Sequence, residues 1–235
     1  MDDKTRKMRI DVTENGPYLV SGGVPLVRLE IGVNEQGESL EWRETGRVEA
    51  GSSYSLCRCG ESHGKPFCDG SHFDGFDGTE TAGHDSFVEF AESIDGPGVR
   101  LHDARKLCAE ARFCDRAGGL WNLVESCGDP EVRAIAEEEA RNCPSGRYVL
   151  CDAESQTDYE PELEPSIGLV EDPAMGVSGP LYVRGGIPVY DADGVAYEAR
   201  NRVTLCRCGK SQNKPFCDGS HLRTGFVDSS TRTDE

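Results

Sequence analysis

The sequence predicts a β-rich α+β protein built from two copies of one small module, with a short helical segment between them. Three observations predict this fold class. A cysteine-rich motif occurs twice, a Gly-Gly-Pro-like stretch precedes each copy, and short apolar runs punctuated by Gly and Pro surround both. Runs of this kind are typical of strands and hairpins. We therefore expect three units, at 1–82, 83–153 and 154–235.

The repeat extends well beyond the cysteine motif. CRCGESHGKPFCDGSH at 57–72 returns as CRCGKSQNKPFCDGSH at 206–221, an offset of 149 residues. Upstream, GPYLVSGGVPL at 16–26 matches GPLYVRGGIPV at 179–189, an offset of 163 residues. The two offsets differ by 14 residues, which indicates an insertion in the first copy within 34–46. The repeated unit is therefore about 50 residues long, as expected of a structural repeat rather than a bare motif.

Apolar-rich runs in both copies predict short strands, the last of which leads directly into the motif. These runs lie at 18–20, 25–31, 54–56, 181–183, 187–190 and 202–205.

The segment between the copies has a different character. Asp103 is a candidate N-cap for a first helix, whose apolar positions Ala104, Leu107, Cys108 and Ala111 follow helical spacing. Asp129-Pro130 predicts the start of a second helix that runs to about residue 142. We expect linker at 73–85, an extended proline-rich connector at 154–180 and fraying of the final TRTDE.

Composition limits the function. The 235 residues carry a net charge of −18, so phosphate repulsion argues against nucleic acid as a partner. The first residues contain no apolar export segment, and no run is long enough to span a membrane, so we expect a cytoplasmic protein. Eleven cysteines in such a compartment indicate metal ligation rather than disulfides.

Each motif has the pattern C-x-C-x8-C-x3-H, which supplies four soft or borderline metal ligands within sixteen residues. The close cysteine pair can bind one metal atom, and the third cysteine with the histidine can bind its neighbour. Zinc sites also use three cysteines and one histidine, but their close pairs usually have two to four residues between them. The spacing favours an iron–sulfur cluster and leaves zinc as the alternative.

The sequence elements Cys-x-Cys, Lys-Pro-Phe and Cys-Asp-Gly-Ser-His, taken together, resemble the motif of the CDGSH iron–sulfur family, the mitoNEET-like proteins. The resemblance implies a 2Fe–2S cluster in each copy, held by three cysteines and one histidine. Relatives in mitochondria are membrane-anchored homodimers with one motif per chain. Here the resemblance implies a monomer whose two modules pack as an intramolecular pseudo-dimer. The implied ligands are Cys57, Cys59, Cys68 and His72, then Cys206, Cys208, Cys217 and His221.

The histidine ligand has consequences for redox chemistry. A neutral imidazole in place of a fourth thiolate makes the cluster less negative, so its potential should lie above that of a plant-type ferredoxin. If the second ring nitrogen is exposed, reduction can be coupled to protonation. The same protonation would weaken the iron–histidine bond, which makes cluster transfer available alongside electron transfer.

Residues that flank the ligands have two interpretations each. Asp69 and Asp218 can cap a turn and orient the histidine loop, or they can be solvated carboxylates. Basic residues also flank the motifs, and they can stabilise a negative cluster or mark a docking face, although ordinary surface charge is the simpler expectation for any one of them: Arg58, Lys65, Arg207, Lys210 and Lys214.

The middle segment resembles the divergent single-cluster ferredoxin family. The resemblance rests on Cys108-x5-Cys114 and the later Cys143-Pro-Ser-Gly. Three cysteines suffice for a 3Fe–4S cluster, and Cys127 as a fourth ligand would allow 4Fe–4S. The alternative is that Cys108 is a small apolar residue on a buried helix face.

We therefore expect a carrier of electrons or of clusters, serving a redox protein or a cluster-acceptor protein. No nucleotide loop, catalytic triad or paired-carboxylate motif predicts an enzyme. A cluster-based redox or iron sensor that controls a protein partner is the alternative from another class, and a zinc-bound structural module is a third.

Overall fold

The computed structural model describes residues 8–228, and the predicted fraying of TRTDE lies outside that range. The described strands are β1 (Arg9–Val12), β2 (Tyr18–Ser21), β3 (Leu26–Val33), β4 (Ser39–Val48), β5 (Ser53–Leu56), β6 (Glu92–Gly96), β7 (Val99–Asp103), β8 (Tyr148–Asp152), β9 (Ser166–Asp172), β10 (Val177–Arg184), β11 (Val189–Tyr190) and β12 (Arg202–Leu205). The described helices are α1 (Phe87–Phe90), α2 (Leu120–Glu125), α3 (Pro130–Asn142) and α4 (Ser220–Thr224).

The described chain is β-rich with mixed sheets and few helices, as predicted. One sheet has the strand order β11-β1-β2-β5, a second has the order β12-β10-β9-β3-β4, and a third has the order β6-β7-β8. The six apolar runs predicted from the sequence all overlap strands. The run at 202–205 matches the bounds of β12.

The two repeats exchange a strand with one another. Strand β3 of the first repeat pairs in parallel with β9, next to the second repeat's own strands, with Leu26 opposite Ile167. In return, β11 of the second repeat pairs in parallel with β1, with Ile10 opposite Val189. All four of these side chains are buried in one apolar core. The two repeats therefore share a core, and the first and second sheets each contain strands from both.

The predicted insertion forms an edge of the second sheet. Strand β4 pairs antiparallel with β3, and the turn between them is closed by a hydrogen bond from the Asn34 NH to Glu38 O at 3.0 Å. Trp42 on β4 packs against Phe113, with ring centroids 4.9 Å apart, and its indole NH donates to Asn142 O at 3.0 Å. The insertion thus fastens the middle segment to the sheet.

The connector predicted at 154–180 is wrong in its second half, which contains β9 and the start of β10. The prolines do not prevent this. Pro161 and Pro165 precede β9, and Pro173 lies in the turn after it. Pro180 lies where the β9–β10 register shifts, a position at which a missing NH is tolerated.

The middle segment packs α2 and α3 against the third sheet. The second predicted helix is confirmed as α3, with Asp129 at its N-cap accepting a hydrogen bond from the Glu131 NH at 2.8 Å and Pro130 at the first position. Its buried face contributes Ala136 and Ala140 to a separate apolar core. Among residues 8–228, no helix has the length and apolar character to cross a bilayer.

The first predicted helix is wrong. Asp103 ends β7, and its carboxylate accepts hydrogen bonds from the Arg147 guanidinium at 2.6 and 2.9 Å instead of capping a helix. Only a short 3₁₀ turn, Arg105–Leu107, follows. Glu110 and Arg112 then adopt left-handed backbone conformations with φ of 54° and 62°, which no helix allows. The periodic apolar positions are therefore loop positions.

The two motifs meet backbone to backbone. Gly60 (φ +86°) and Gly209 (φ +75°) occupy equivalent places directly after the Cys-x-Cys pairs. A Cβ on Gly60 would lie 2.6 Å from Cys208 O, and one on Gly209 would lie 2.2 Å from Cys59 O. Both positions require glycine for its conformation and for the close approach.

Candidate metal centres

The first motif begins where β5 ends, so its thiols start from a rigid element. The sulfur atoms of Cys57 and Cys59 lie 3.6 Å apart, and both residues are buried. The chain returns beside them, because the Cys57 NH donates to Pro66 O at 2.8 Å and the Cys68 NH donates to Ser55 O at 3.0 Å. The hydrogen bond from Cys59 lowers the pKa of the Cys57 thiol to about 6, so the pair offers a thiolate near neutral pH.

The other two predicted ligands form a second pair. Cys68 Sγ and His72 Nδ1 lie 3.3 Å apart. The imidazole is partly exposed, and the ring of Phe73 lies against it with centroids 4.2 Å apart. The first motif therefore presents a sulfur–sulfur pair and a sulfur–nitrogen pair.

The aspartate after the third cysteine shapes the histidine loop, in agreement with the first of its two predicted roles. The Asp69 carboxylate accepts from the Ser71 hydroxyl at 2.6 Å, from the Ser71 NH at 3.0 Å and from the His63 NH at 2.8 Å. These hydrogen bonds, led by the hydroxyl, hold the pKa of Asp69 well below its usual range. Asp218 makes the two equivalent backbone contacts in the second copy.

The second motif repeats this arrangement in a more enclosed setting. The sulfur atoms of Cys206 and Cys208 lie 3.7 Å apart, and Cys217 Sγ lies 3.5 Å from His221 Nδ1. His221 is only 4% exposed. Burial, followed by the nearby charge of Arg207, lowers the pKa of this imidazole to about 4. It is therefore neutral at physiological pH, as a metal ligand must be.

The arginine between the paired cysteines is buried in both copies, so the surface-charge expectation for Arg58 and Arg207 is wrong. Arg58 donates to two carbonyl oxygens of the β1–β2 turn, each at 2.8 Å, and its Nη1 has no partner among the described residues. Arg207 pairs with Glu171 at 2.6 Å and with Asp228 at 2.7 Å. The second arginine is thus balanced by carboxylates. No ion pair among residues 8–228 involves the first.

Three of the four cysteines predicted in the middle segment come together. Cys108, Cys114 and Cys143 line one small cavity. Burial raises the pKa of Cys108 and Cys114. The backbone of Glu110 and then the charge of Arg147, which also lines the cavity, oppose this rise in the pKa of Cys108. A guanidinium beside grouped thiols favours their anionic, metal-binding form.

Cys127, the predicted fourth ligand, does not line this cavity. Its thiol donates to Leu123 O at 3.4 Å inside the middle apolar core. Cys151 lies on β8, where its sulfur is 3.9 Å from His102 Nε2. Neither residue joins the three grouped thiols.

The middle cavity adjoins the second motif, a relation that sequence reasoning missed. A Cβ on Gly219 would lie 2.3 Å from Glu110 Cγ, so the two loops are in contact. Arg112 then reaches Asp172 with hydrogen bonds of 2.6 and 3.1 Å.

Within residues 8–228, no group of three or more His, Cys, Asp or Glu side chains is arranged around a single ion position. In each CDGSH-like motif the predicted ligands lie as one sulfur–sulfur pair and one sulfur–nitrogen pair.

Family models match three parts of the chain. The model described as "Iron-binding zinc finger CDGSH type" matches residues 15–73 and 178–222. The model described as "Divergent 4Fe-4S mono-cluster" matches residues 94–153 between them. No curated protein and no solved structure matches the chain. The chain is therefore a tandem CDGSH-type iron–sulfur protein, with a divergent 4Fe–4S mono-cluster segment between its two CDGSH segments.

Proposed function

We propose that each CDGSH segment holds one 2Fe–2S cluster through three cysteines and one histidine. The observation that carries this proposal is the division of each site into two ligand pairs, with sulfur–sulfur distances of 3.6 and 3.7 Å and sulfur–nitrogen distances of 3.3 and 3.5 Å. One pair per iron atom suits a binuclear cluster better than a single tetrahedral zinc. The ligands are Cys57, Cys59, Cys68 and His72, then Cys206, Cys208, Cys217 and His221.

A bound 2Fe–2S cluster supplies one-electron redox chemistry. The protein around the cluster controls its access to water, the orientation of its histidine and the nearby charge. Buried thiols keep water from the inner ligand pair of each site, and the Asp69 and Asp218 turns orient the histidines. The buried guanidinium of Arg58, which makes no ion pair among residues 8–228, supplies positive charge between the paired cysteines of the first site, whereas Arg207 is already balanced by Glu171 and Asp228. These features suit reversible electron storage.

The two segments are proposed to act as an intramolecular pseudo-dimer. The reciprocal pairing of β3 with β9 and of β11 with β1 supports this arrangement, as does the mutual approach of Gly60 and Gly209. Tyr18 of the first repeat also donates its hydroxyl to Cys206 O at 2.7 Å. One chain would thereby hold two clusters at a set separation.

A third cluster is proposed in the middle segment, held by Cys108, Cys114 and Cys143. The shared cavity and the adjacent Arg147 support it. Because Cys127 points into the apolar core, three protein thiolates suit a 3Fe–4S cluster, whereas a 4Fe–4S cluster would need a fourth ligand from elsewhere.

The proposed role is the transfer of electrons or of clusters to a redox protein or a cluster-acceptor protein, with no substrate turnover by the chain itself. All eleven cysteines lack disulfide partners, which fits a reducing compartment such as the cytoplasm.

Anaerobic purification followed by iron and sulfide analysis and EPR tests the proposal. Two 2Fe–2S sites require about four iron and four sulfide per chain, and a filled middle site raises the iron content to about seven or eight. His72→Ala and His221→Ala should each weaken or release one cluster. His63→Ala, which replaces an exposed histidine outside the ligand set, should retain both. A colourless protein with stoichiometric zinc would refute the proposal.

A further inference from the structure

The two CDGSH sites have the same ligands but different surroundings. His221 is 4% exposed, and the middle segment lies over its motif through Glu110 and the Arg112–Asp172 ion pair. At Gly70, the equivalent glycine of the first motif, an added Cβ would meet only the Phe73 ring among the described residues. His72 is partly exposed, and Phe73 beside it is 85% exposed, the largest value among the exposed large apolar side chains described.

The exposed ring of Phe73 is not explained by packing within the chain. It does not fill a core, because its only ring contact among the described residues is with His72, at 4.2 Å between centroids. The equivalent residue in the second motif is Leu222, which is half-buried. A large aromatic ring held in water against a ligand is typical of a contact residue that becomes buried when a partner binds.

The charged residues around Phe73 also distinguish the first motif from the second. Glu61, Asp69, Asp74 and Asp77 are all exposed around the first motif. At the equivalent places the second motif has Lys210, Asp218, Arg223 and Phe226. At three of these four positions the second motif therefore has no acidic residue, and at two of the three it has a basic one.

The basic groups near the first motif are already engaged. Lys65 turns back to donate to Ser62 O at 2.6 Å, and Lys210 of the second motif lies 3.9 Å from Glu61. The exposed rim around Phe73 is thus acidic. A partner that covers it gains electrostatic attraction if its own surface is basic around an apolar recess.

We propose that the face formed by Phe73, Asp69, Asp74 and Asp77 is the docking surface for a basic redox protein, and that exchange with partners takes place at the first site. The inference rests on the proposed function, which it refines by separating the two sites. The second site is enclosed by the middle segment and does not meet the partner. One electron passes from the reduced first site to the oxidised metal centre of the partner, and no bond is made or broken.

Ferric cytochrome c, a basic one-electron acceptor, is the probe. Calorimetric titration of the oxidised holoprotein at low ionic strength measures docking without any turnover, and stopped-flow reoxidation of the reduced holoprotein measures transfer. Phe73→Ala should weaken both about tenfold, as expected when a contact residue is truncated. Asp74→Arg should weaken both by tenfold or more at low salt, and the difference should shrink at 0.5 M salt because the charges are screened.

Matched substitutions in the second motif are the controls. Leu222→Ala and Arg223→Gln should change affinity and rate less than twofold, with iron content and reduction potentials measured for every variant. Ferricyanide, a small anionic oxidant that needs no docking surface, should reoxidise Phe73→Ala at the wild-type rate.

Equal losses in the two motifs, or no loss at Phe73 and Asp74, would overturn the inference. Concentration-dependent self-association that Phe73→Ala abolishes would also overturn it, because a second copy would then be the occupant. Failure of the proposed function has a different signature, since a protein without clusters would not be reoxidised even by ferricyanide.

Discussion

The backbone contact between the two motifs allows a quantitative test with glycine-to-alanine substitutions. Gly60→Ala has two separable costs. The first is the left-handed backbone at φ +86°, which costs a residue with a Cβ about 1–2 kcal/mol. The second is steric, because the new Cβ would lie 2.6 Å from Cys208 O and 2.9 Å from its carbonyl carbon. Relief requires backbone movement, which costs a further ~1–3 kcal/mol. We expect a total of about 2–5 kcal/mol.

Two other glycines separate these costs. Gly37 has φ of +82° but nothing within 4 Å of the added Cβ, so Gly37→Ala should lose only the conformational part, about 1–2 kcal/mol. Gly64 lies in the same cysteine loop as Gly60 but has neither constraint, so Gly64→Ala should be neutral or slightly stabilising. Gly209→Ala, with a Cβ 2.2 Å from Cys59 O, should resemble Gly60→Ala or exceed it.

The assay is denaturant unfolding of the four holoprotein variants, followed by circular dichroism and by visible absorption. Gly60→Ala and Gly209→Ala should also disturb the cluster in the opposite motif, because each collides with that motif's cysteine backbone. If Gly60→Ala loses no more stability than Gly37→Ala, the two motifs are not in contact and the shared arrangement is refuted.

Three further predictions concern charge and ligation. Arg58→Met should lower the reduction potential of the first site by roughly tens of millivolts, because it removes a buried positive charge between two of the proposed ligands. An unchanged potential in an EPR redox titration would contradict this. Burial raises the pKa of Glu139 to about 8, above its unfolded value, so its contribution to stability is present at low pH and is lost as pH rises. The unfolding free energy should fall by about 2 kcal/mol between pH 6 and 8, and Glu139→Gln should remove that fall. If denaturant unfolding shows the same fall in both proteins, the prediction is wrong. Cys143→Ser should lose the iron of the middle segment whereas Cys127→Ser should keep it, and iron analysis would disprove the ligand assignment if both variants lost it.

Local features of the fold were predictable where neighbouring residues decide the outcome. Asp129-Pro130 predicted α3, since a cap and a first-position proline act within one turn. The mismatch between the two repeat offsets located the insertion that became β4. The first helix was predicted wrongly, because its apolar spacing is helical but Asp103 is held by Arg147, 44 residues away.

The sequence by itself determined the types, spacing and duplication of the proposed ligands, because a candidate metal site within sixteen residues is a local property. Only the tertiary structure decided that β3 pairs with β9 and β11 with β1, since strand partners more than 100 residues apart leave no local pattern. It also decided that Arg58 and Arg207 are buried and that His221 is enclosed while His72 is not. Two nearly identical motifs differ in exposure because burial depends on what packs against them, and the middle segment packs against the second.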